Sequence, residues 1–285
     1  YFWAGTCFLN EDIDKGFWLM NQAYIEDDLT HGADEHGTPS KYFLYLEEEH
    51  IEQFFQNILI KIKGFLDKEY IQNYINSRNR NFDYSLFKNK FFKNTQISKD
   101  VKFHFNLSIF RLERILKQQK PDEINTIASL LYSEIIFDLC KVFEYLIKIN
   151  NQEKLIDSVK NFAKKYNDSS VISQINSLDF HTDNFMTTLE KLFNNNFQIN
   201  NSSIDDLEKD ILVAYGFRNF GAHKIEENKL IINNFESIIK SILNSIFLAI
   251  ELKQNTEIKS QSTSPTSTII TSSNVSISQY LNKHF

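Results

Sequence analysis

The chain contains 285 residues, of which 42% are hydrophobic and 14% aromatic, and it carries a formal net charge of −6. Such a chain can bury a sizeable core, which excludes a disordered protein, and the acidic balance argues against a protein that coats nucleic acid non-specifically. No run of apolar residues is long enough for a transmembrane helix, and no signal-peptide pattern occurs at the beginning of the sequence. We therefore predict a cytoplasmic protein without a membrane partner.

The low content of helix-breaking residues, three prolines and seven glycines, predicts an all-α fold. Four regions are expected along the chain. They are a helical hairpin at residues 1–45, a helical connecting region at 46–120, a helical bundle at 121–253 and a flexible Ser/Thr-rich tail at 254–285. Cys7 and Cys140 lie in apolar helical contexts without metal or redox spacing, which predicts buried, reduced thiols.

Small residues characterise the hairpin predicted over residues 2–28. Ala4, Gly16, Met20 and Ala23 recur at spacings similar to those of the tetratricopeptide repeat, in which small residues allow two helices to pack closely. The resemblance implies the end of a longer repeat array, because a single repeat buries too little apolar surface. A plain helical hairpin that belongs to the main domain is the alternative.

Carboxylates and imidazoles crowd residues 27–37, but their spacing matches no familiar metal site, and we predict no metal. From Glu47 to about Ser77 the apolar residues recur with helical period, which predicts one long amphipathic helix. Residues 78–100 then alternate basic and aromatic side chains. One interpretation of this pattern is a surface that stacks bases and binds phosphates. The more common interpretation is a loop and a short helix whose Phe side chains enter the core.

Helical periodicity continues through the predicted bundle. Its helices are expected at residues 121–149, 152–166, 182–193, 203–220 and 229–253. Pro121 suits the first turn of its helix, and Ser203 is expected to cap the helix that it precedes.

The most informative motif lies near the end of the fourth bundle helix. Residues 215–223 are Tyr-Gly-Phe-Arg-Asn-Phe-Gly-Ala-His, with four residues between Arg218 and His223. A guanidinium can hold a phosphate through two hydrogen bonds, and an imidazole exchanges protons near neutral pH. The pattern resembles the R-x4-6-H signature of the HEPN superfamily of helical ribonucleases, in which a polar residue such as Asn219 commonly follows the arginine.

The resemblance covers residues 121–253 and implies an endoribonuclease that needs neither metal nor cofactor. In this family two protomers face each other across a groove, a 2′-hydroxyl attacks the adjacent phosphorus, and a 2′,3′-cyclic phosphate remains. By resemblance, His223 shares the acid and base tasks, Arg218 stabilises charge on the phosphate, and Asn219 positions the phosphate or orients His223. On a straight helix Arg218 and His223 lie about 140° apart. Gly221 can break the helix or allow a close backbone approach, and a two-fold partner can bring a second Arg/His pair into the same cleft.

An earlier helix of this family tends to carry a supporting Glu-x3-Lys/Arg pattern. Glu144 and Lys148 match it, and their i,i+4 spacing places both charges on one face. An ordinary solvent-facing salt bridge is the alternative. A second polar stripe on the same helix competes for the side that faces the motif. Its members are Ser133, Glu134, Asp138 and Lys141.

Two functions follow from these patterns. The first is an RNA-cleaving homodimer, such as a toxin or an antiphage defence effector, that is controlled by an antitoxin or a sensor domain. The second is a non-catalytic HEPN-like bundle that binds a nucleotide or another protein. Solvent access distinguishes them, because a catalytic Arg218 and His223 must face a cleft, whereas a buried, salt-bridged Arg218 favours the second function.

Overall fold

A computed structural model describes most of the chain in nine ranges. They are residues 1–32, 39–45, 56–77, 83–117, 126–149, 152–166, 171–174, 182–220 and 229–253. Within these ranges the regular structure is helical apart from two strands of two residues each. The predicted all-α fold is confirmed.

The regular elements are numbered in chain order. The α-helices are α1 (Phe2–Phe8), α2 (Ile13–His31), α3 (Pro39–Tyr45), α4 (Gln56–Leu66), α5 (Glu69–Ser77), α6 (Tyr84–Phe87), α7 (Lys99–Lys117), α8 (Thr126–Ile147), α9 (Leu155–Tyr166), α10 (Thr182–Phe193), α11 (Asp206–Phe220) and α12 (Lys229–Leu252). A π-helical turn at Lys88–Phe92 continues α6, and a 3₁₀ turn covers Ile172–Gln174. Strands β1 (Gln198–Ile199) and β2 (Ser202–Ser203) form an antiparallel ladder.

Helices α1 and α2 form the predicted N-terminal hairpin. Asp12 caps α2, because its carboxylate accepts a hydrogen bond from the backbone N–H of Lys15 at 3.1 Å. The two helices approach each other at Gly5 and Gly16, where a Cβ on Gly16 would lie 3.1 Å from the Gly5 carbonyl oxygen. Gly5 therefore provides the close approach that the sequence pattern assigned to Ala4, which is exposed.

The hairpin packs on α3 and α7 through aromatic side chains. The Phe17 ring lies 5.1 Å from that of Phe43 and 5.5 Å from that of Phe110, measured between centroids. Cys7 is exposed, because α2 covers the face of α1 that carries Gly5 and leaves Cys7 uncovered. The prediction of two buried thiols is therefore wrong for this residue and confirmed for Cys140.

The segment predicted as one amphipathic helix is divided into α4 and α5; residues 47–55 lie outside the described residues. Buried apolar residues step by five from Leu66 to Ile71, which would place them about 140° apart on a straight helix. The turn between the two helices returns Ile71 to the core. It is stabilised by Gln72, whose side-chain amide donates a hydrogen bond to the Leu66 carbonyl at 2.8 Å.

Phe side chains of α6 and its π-helical turn pack into the core, as the commoner interpretation of this segment predicts. Phe87 and Phe91 are fully buried with ring centroids 5.4 Å apart, and Phe87 also meets Phe247 of α12 edge-on. Arg78 and Arg80, the first basic residues of the segment, lie outside the described residues. Packing therefore explains Phe87 and Phe91 among the described aromatic residues of the segment.

Helix α8 packs against α7, α9, α11 and α12. Phe143 is fully buried, and Tyr132 stacks on Phe235 of α12 with ring centroids 4.3 Å apart. Helices α9 to α12 agree with the predicted positions to within about three residues. Pro121 and the predicted tail, residues 254–285, lie outside the described residues.

Asp205, rather than the predicted Ser203, caps α11. Its carboxylate accepts a hydrogen bond from the Glu208 N–H at 2.7 Å, and the Glu208 carboxylate accepts one from the Asp205 N–H at 3.1 Å. The pair forms a reciprocal capping box. Ser203 is instead paired with Gln198 in the ladder, and residues 200 and 201, two asparagines with positive φ, form the turn between the strands.

A buried polar cluster joins α5, α11 and α12. Tyr70 donates a hydrogen bond to the carboxylate of Asp210, and the Asn244 amide donates to the same oxygen at 2.9 Å. Burial raises the pKa of Asp210 to about 6, although hydrogen bonds from Ser241 and Tyr70 oppose the rise. Asp210 therefore takes up a proton more readily in the folded protein than in the unfolded chain.

Gly16→Ala should destabilise the protein by about 1–3 kcal/mol, because the new Cβ enters a closely packed contact. That Cβ would lie 2.9 Å from Cδ2 of Leu9. Gly64→Ala on α4 is the matched control, since its Cβ would meet open space. It should stabilise by about 0.5–1 kcal/mol through helix propensity. Urea denaturation measures both, and destabilisation of equal size would contradict the helix contact at Gly16.

Asp210→Asn should reduce the pH dependence of stability. The unfolded pKa of Asp is about 3.9, and the folded pKa of Asp210 is about 6. The linked stabilisation is therefore fully present below the unfolded pKa and is lost as the pH rises through the folded pKa. Between about pH 5 and pH 7.5 the parent should lose about 1 kcal/mol that the variant retains. Denaturation curves at both pH values measure this difference, and equal losses would contradict the raised pKa.

Candidate functional site

Arg218 and Asn219 lie in the last turn of α11. The preceding residues, from Val213 to Phe217, are all buried. The two polar side chains therefore lie where the helix reaches the edge of the core. The Arg218 side chain is 24% exposed. His223 and Gly221 lie outside the described residues, and the arrangement of the Arg/His pair therefore stays a prediction.

Glu144 on α8 brings the predicted supporting residues to Arg218. Its Oε2 accepts a hydrogen bond from Arg218 Nε in a direct ion pair, and its Oε1 lies 2.5 Å from Lys148 Nζ. The Glu144 side chain is only 10% exposed, so the contact is more strongly shielded than an ordinary surface salt bridge. Of the two polar stripes on α8, this one contacts the motif arginine.

The charge of Glu144 is set by its two cations. Burial alone raises the pKa of this carboxyl, but the hydrogen bond from Lys148 and the charge of Arg218 lower it further than burial raises it. The pKa of Glu144 is thus below its ordinary value, and the group is a carboxylate at neutral pH. It occupies the Nε donor of Arg218, which is one of the five N–H donors of a guanidinium.

Phe137 contributes to the site, and the sequence analysis missed it. The Arg218 guanidinium carbon lies 5.0 Å from the centre of the Phe137 ring, and Lys141 Nζ lies 4.4 Å from the same ring. Two cations therefore share one aromatic ring, which attracts each of them. The spacing of seven residues between Phe137 and Glu144 on α8 was the available signal, because it places both on one face.

Asn219 interacts with its own helix. Its side chain hydrogen-bonds the Tyr215 hydroxyl one turn earlier, which lowers the pKa of Tyr215, although burial has the larger effect and raises it. The described contacts therefore do not connect Asn219 with Glu144 or Lys148. The predicted contact between Asn219 and His223 involves a residue outside the described ranges.

The competing polar stripe on α8 has a structural explanation. Asp138 and Glu134 each lie 3.4 Å from Nη1 of Arg111 on α7, and Asp14 of α2 lies 2.7 Å from Nη2. Lys141 reaches Asp138 at 3.5 Å. These contacts connect the N-terminal hairpin and α7 to α8, and they meet the Arg218 contacts at Lys141 and the Phe137 ring.

Comparison with known proteins adds no relative. No family model, no curated protein and no solved structure matches this chain. The HEPN resemblance therefore rests on the motif residues alone. Among the residues that the structure describes, no three His, Cys, Asp or Glu side chains are grouped as metal ligands, and no helix meets the length and apolarity needed to span a membrane.

Glu144→Gln should lower the free energy of unfolding by about 1–3 kcal/mol at pH 7, because a neutral amide leaves two cations without their shared carboxylate. The folded pKa of Glu144 is below the unfolded one. Its stabilisation is therefore present above the unfolded pKa and is lost as the pH falls through the folded pKa. Parent and variant should begin to converge in denaturation experiments as the pH falls below the unfolded pKa of about 4.3, and they should become equal below the folded pKa.

Glu134→Gln is the matched control for this prediction. Glu134 belongs to the same helix, but its side chain is 51% exposed and its contact with Arg111 is longer. The substitution should change stability by less than about 0.5 kcal/mol. Equal losses for the two variants would show that the Glu144 pair contributes no more than a surface contact.

Proposed function

We propose that this chain is a HEPN-like endoribonuclease that cleaves RNA without a metal at a site shared by two protomers. The observation that carries the proposal is the ion pair of Arg218 with Glu144, whose other carboxylate oxygen pairs with Lys148. These three residues come from two patterns that lie far apart in the sequence and that the HEPN resemblance expects together. If Arg218 simply paired with the nearest acidic side chain, that acid would not need a lysine four residues later in the sequence. Glu144 has such a lysine, Lys148.

The proposed reaction is an internal transesterification of RNA. A general base removes the proton of the 2′-hydroxyl, whose oxygen attacks the adjacent phosphorus, and the bond to the 5′-oxygen breaks as a general acid protonates that oxygen. The products are a 2′,3′-cyclic phosphate and a 5′-hydroxyl end. His223 from each protomer supplies the base and the acid, which explains why the site requires a homodimer.

Arg218 stabilises the additional negative charge on the phosphate oxygens. Glu144 contributes by orienting the guanidinium, because it occupies Nε and the Phe137 ring faces the guanidinium carbon. The remaining N–H donors of a guanidinium can then bind two phosphate oxygens together. Lys148 offsets the negative charge of Glu144, so that the site keeps a net positive charge for RNA.

A non-catalytic bundle that binds a nucleotide or another protein is the second candidate. The observation that favours it is the same ion pair, because Arg218 is largely covered and a salt-bridged arginine can serve to connect α11 with α8. Its 24% exposure leaves room for contact with a ligand phosphate in either case. The two candidates differ in turnover, and a cleavage assay separates them.

Control of the nuclease by an antitoxin or a sensor domain belongs to the same proposal. An unregulated endoribonuclease would damage the RNA of its own cell, so a toxin or antiphage defence effector needs an inhibitory partner or an activating signal. Co-purification of such a partner with the inactive His223→Ala variant is the direct way to find it.

Arg218→Ala and His223→Ala should each lower RNA cleavage by about 10²-fold or more, because each removes a group that acts on the transition state. The assay uses purified protein, a metal chelator, single-stranded and structured RNAs, and analysis of the cleaved ends. Arg114→Ala and His31→Ala are matched controls, since both side chains are exposed on other helices. They should keep the parent activity.

Cyclic-phosphate ends that the parent and both controls produce, and the two site variants do not, would support the nuclease. Full activity of His223→Ala would contradict the proposal, and cleavage that disappears with the chelator would contradict the metal-free mechanism. Equal background from all five proteins would favour the binding bundle. A nucleotide that binds the parent and not Arg218→Ala would then identify its ligand class.

A further inference from the structure

A hydrogen-bonded chain of three titratable groups begins at the turn between α4 and α5. Lys68 lies in this turn, and its Nζ is 3.3 Å from the Tyr70 hydroxyl. Tyr70 donates to Oδ2 of Asp210, which also accepts a hydrogen bond from Asn244. Lys68 is partly exposed and Asp210 is buried. The chain therefore leads from an accessible amine to an enclosed carboxylate.

This arrangement can move a proton inward. When Lys68 donates a proton to the Tyr70 oxygen and Tyr70 passes its own proton to Asp210, the products are a neutral amine and a neutral acid, with Tyr70 unchanged. A neutral amine has a free electron pair and is a nucleophile, whereas an ammonium group is not. The contacts with Tyr70 and Asp210 thus provide a place for the proton that Lys68 loses when it reacts.

The surroundings of Lys68 favour the neutral amine. Burial lowers the pKa of Lys68 to about 8, against the opposing charge of Asp210. The other charged groups that face it are Lys240, which lowers the pKa, and Asp206 and Glu236, which raise it. Burial outweighs these charges, so the amine changes protonation close to physiological pH.

We propose that Lys68 is a modification site, a nucleophilic amine that accepts an acyl group from an acyl phosphate. Lys68 Nζ attacks the carbonyl carbon and forms an N–C bond, and the C–O bond to phosphate breaks with its electron pair remaining on the departing phosphate. The proton lost from Nζ passes through Tyr70 to the Asp210 carboxylate. No redox partner is needed, and the proposal does not depend on the nuclease.

Acylation of Lys68 changes the charge of the buried cluster. The amide product carries no positive charge, so Asp210 loses the cation that favours its ionised form. The pKa of Asp210 then rises further. The Asp210 carboxyl, in the cluster that joins α5, α11 and α12, therefore stays protonated up to a higher pH. Acylation of Lys68 therefore changes the protonation of Asp210 near the start of α11, the helix whose last turn contains Arg218.

Acetyl phosphate is the probe for the test. The full chain is incubated with it between about pH 6.5 and pH 9.5, and acetylation at each lysine is followed by mass spectrometry. Lys63 on α4 is an internal control, because it is 60% exposed and pairs with Asp67 at 2.6 Å. We expect Lys68 to react about tenfold faster than Lys63 at pH 7, because more of its amine is neutral.

The pH profile provides a second readout. The Lys68 rate should level off above about pH 9, where nearly all of its amine is neutral, while the Lys63 rate continues to rise over the tested range. A Lys68 rate that is no faster than that of Lys63 and rises in parallel with it would overturn the proposal. This outcome needs no variant, so it decides the question even if substitutions prevent folding.

Tyr70→Phe tests the proton path, because it keeps the ring and removes the hydroxyl. We expect the plateau rate of Lys68 to fall about fivefold or more while the Lys63 rate stays unchanged. Tyr24→Phe in the N-terminal hairpin is the matched control and should change neither rate. A Lys68 plateau in Tyr70→Phe equal to that of the parent would overturn the path through Tyr70.

Discussion

The burial of α8 is the constraint on which the rest of the described structure depends. Helices α7, α9, α11 and α12 pack against it, so a charged side chain on α8 stays ionised at low cost only where a neighbouring helix supplies the opposite charge. Asp138 meets Arg111 of α7, and Glu144 meets Arg218 of α11. The candidate site is therefore one of two places, at Arg111 and at Arg218, where ion pairs among the described residues join α8 to a neighbouring helix. The Phe137 ring contacts both Arg218 and Lys141.

Local patterns were sufficient to predict much of this arrangement. Helices α9 to α12 each carry an apolar stripe of helical period, which a bundle buries whatever its detailed packing. The pairing of Glu144 with Lys148 follows from i,i+4 spacing in the same way. The approach of Arg218 to Glu144 is different, because 74 residues separate them and no spacing rule reports how α11 crosses α8. The family resemblance indicated that Glu144 and Lys148 support the motif, but not which side chain contacts Arg218.

Features that depend on tertiary packing could not be predicted from local patterns. A periodicity window averages over the five-residue step at Leu66, so it joins α4 and α5 into one helix. A serine near a predicted helix start is a good cap by propensity, but Ser203 belongs to the β1–β2 ladder, and Asp205 caps α11 instead. Phe137 resembles any core aromatic in the sequence, since its role comes from the cations that two helices place around it.

The ion pair of Arg218 also has a consequence for regulation. Displacing Arg218 means separating it from Glu144 and from the Phe137 ring, and therefore disturbing the packing of α11 on α8. A regulator that acted in this way would have to open the bundle itself. In the proposed nuclease, a switch that leaves the bundle intact would have to act on His223, by controlling when it reaches a phosphate bound at Arg218. In an inhibited state, such an enzyme would retain its affinity for RNA and lose only its turnover.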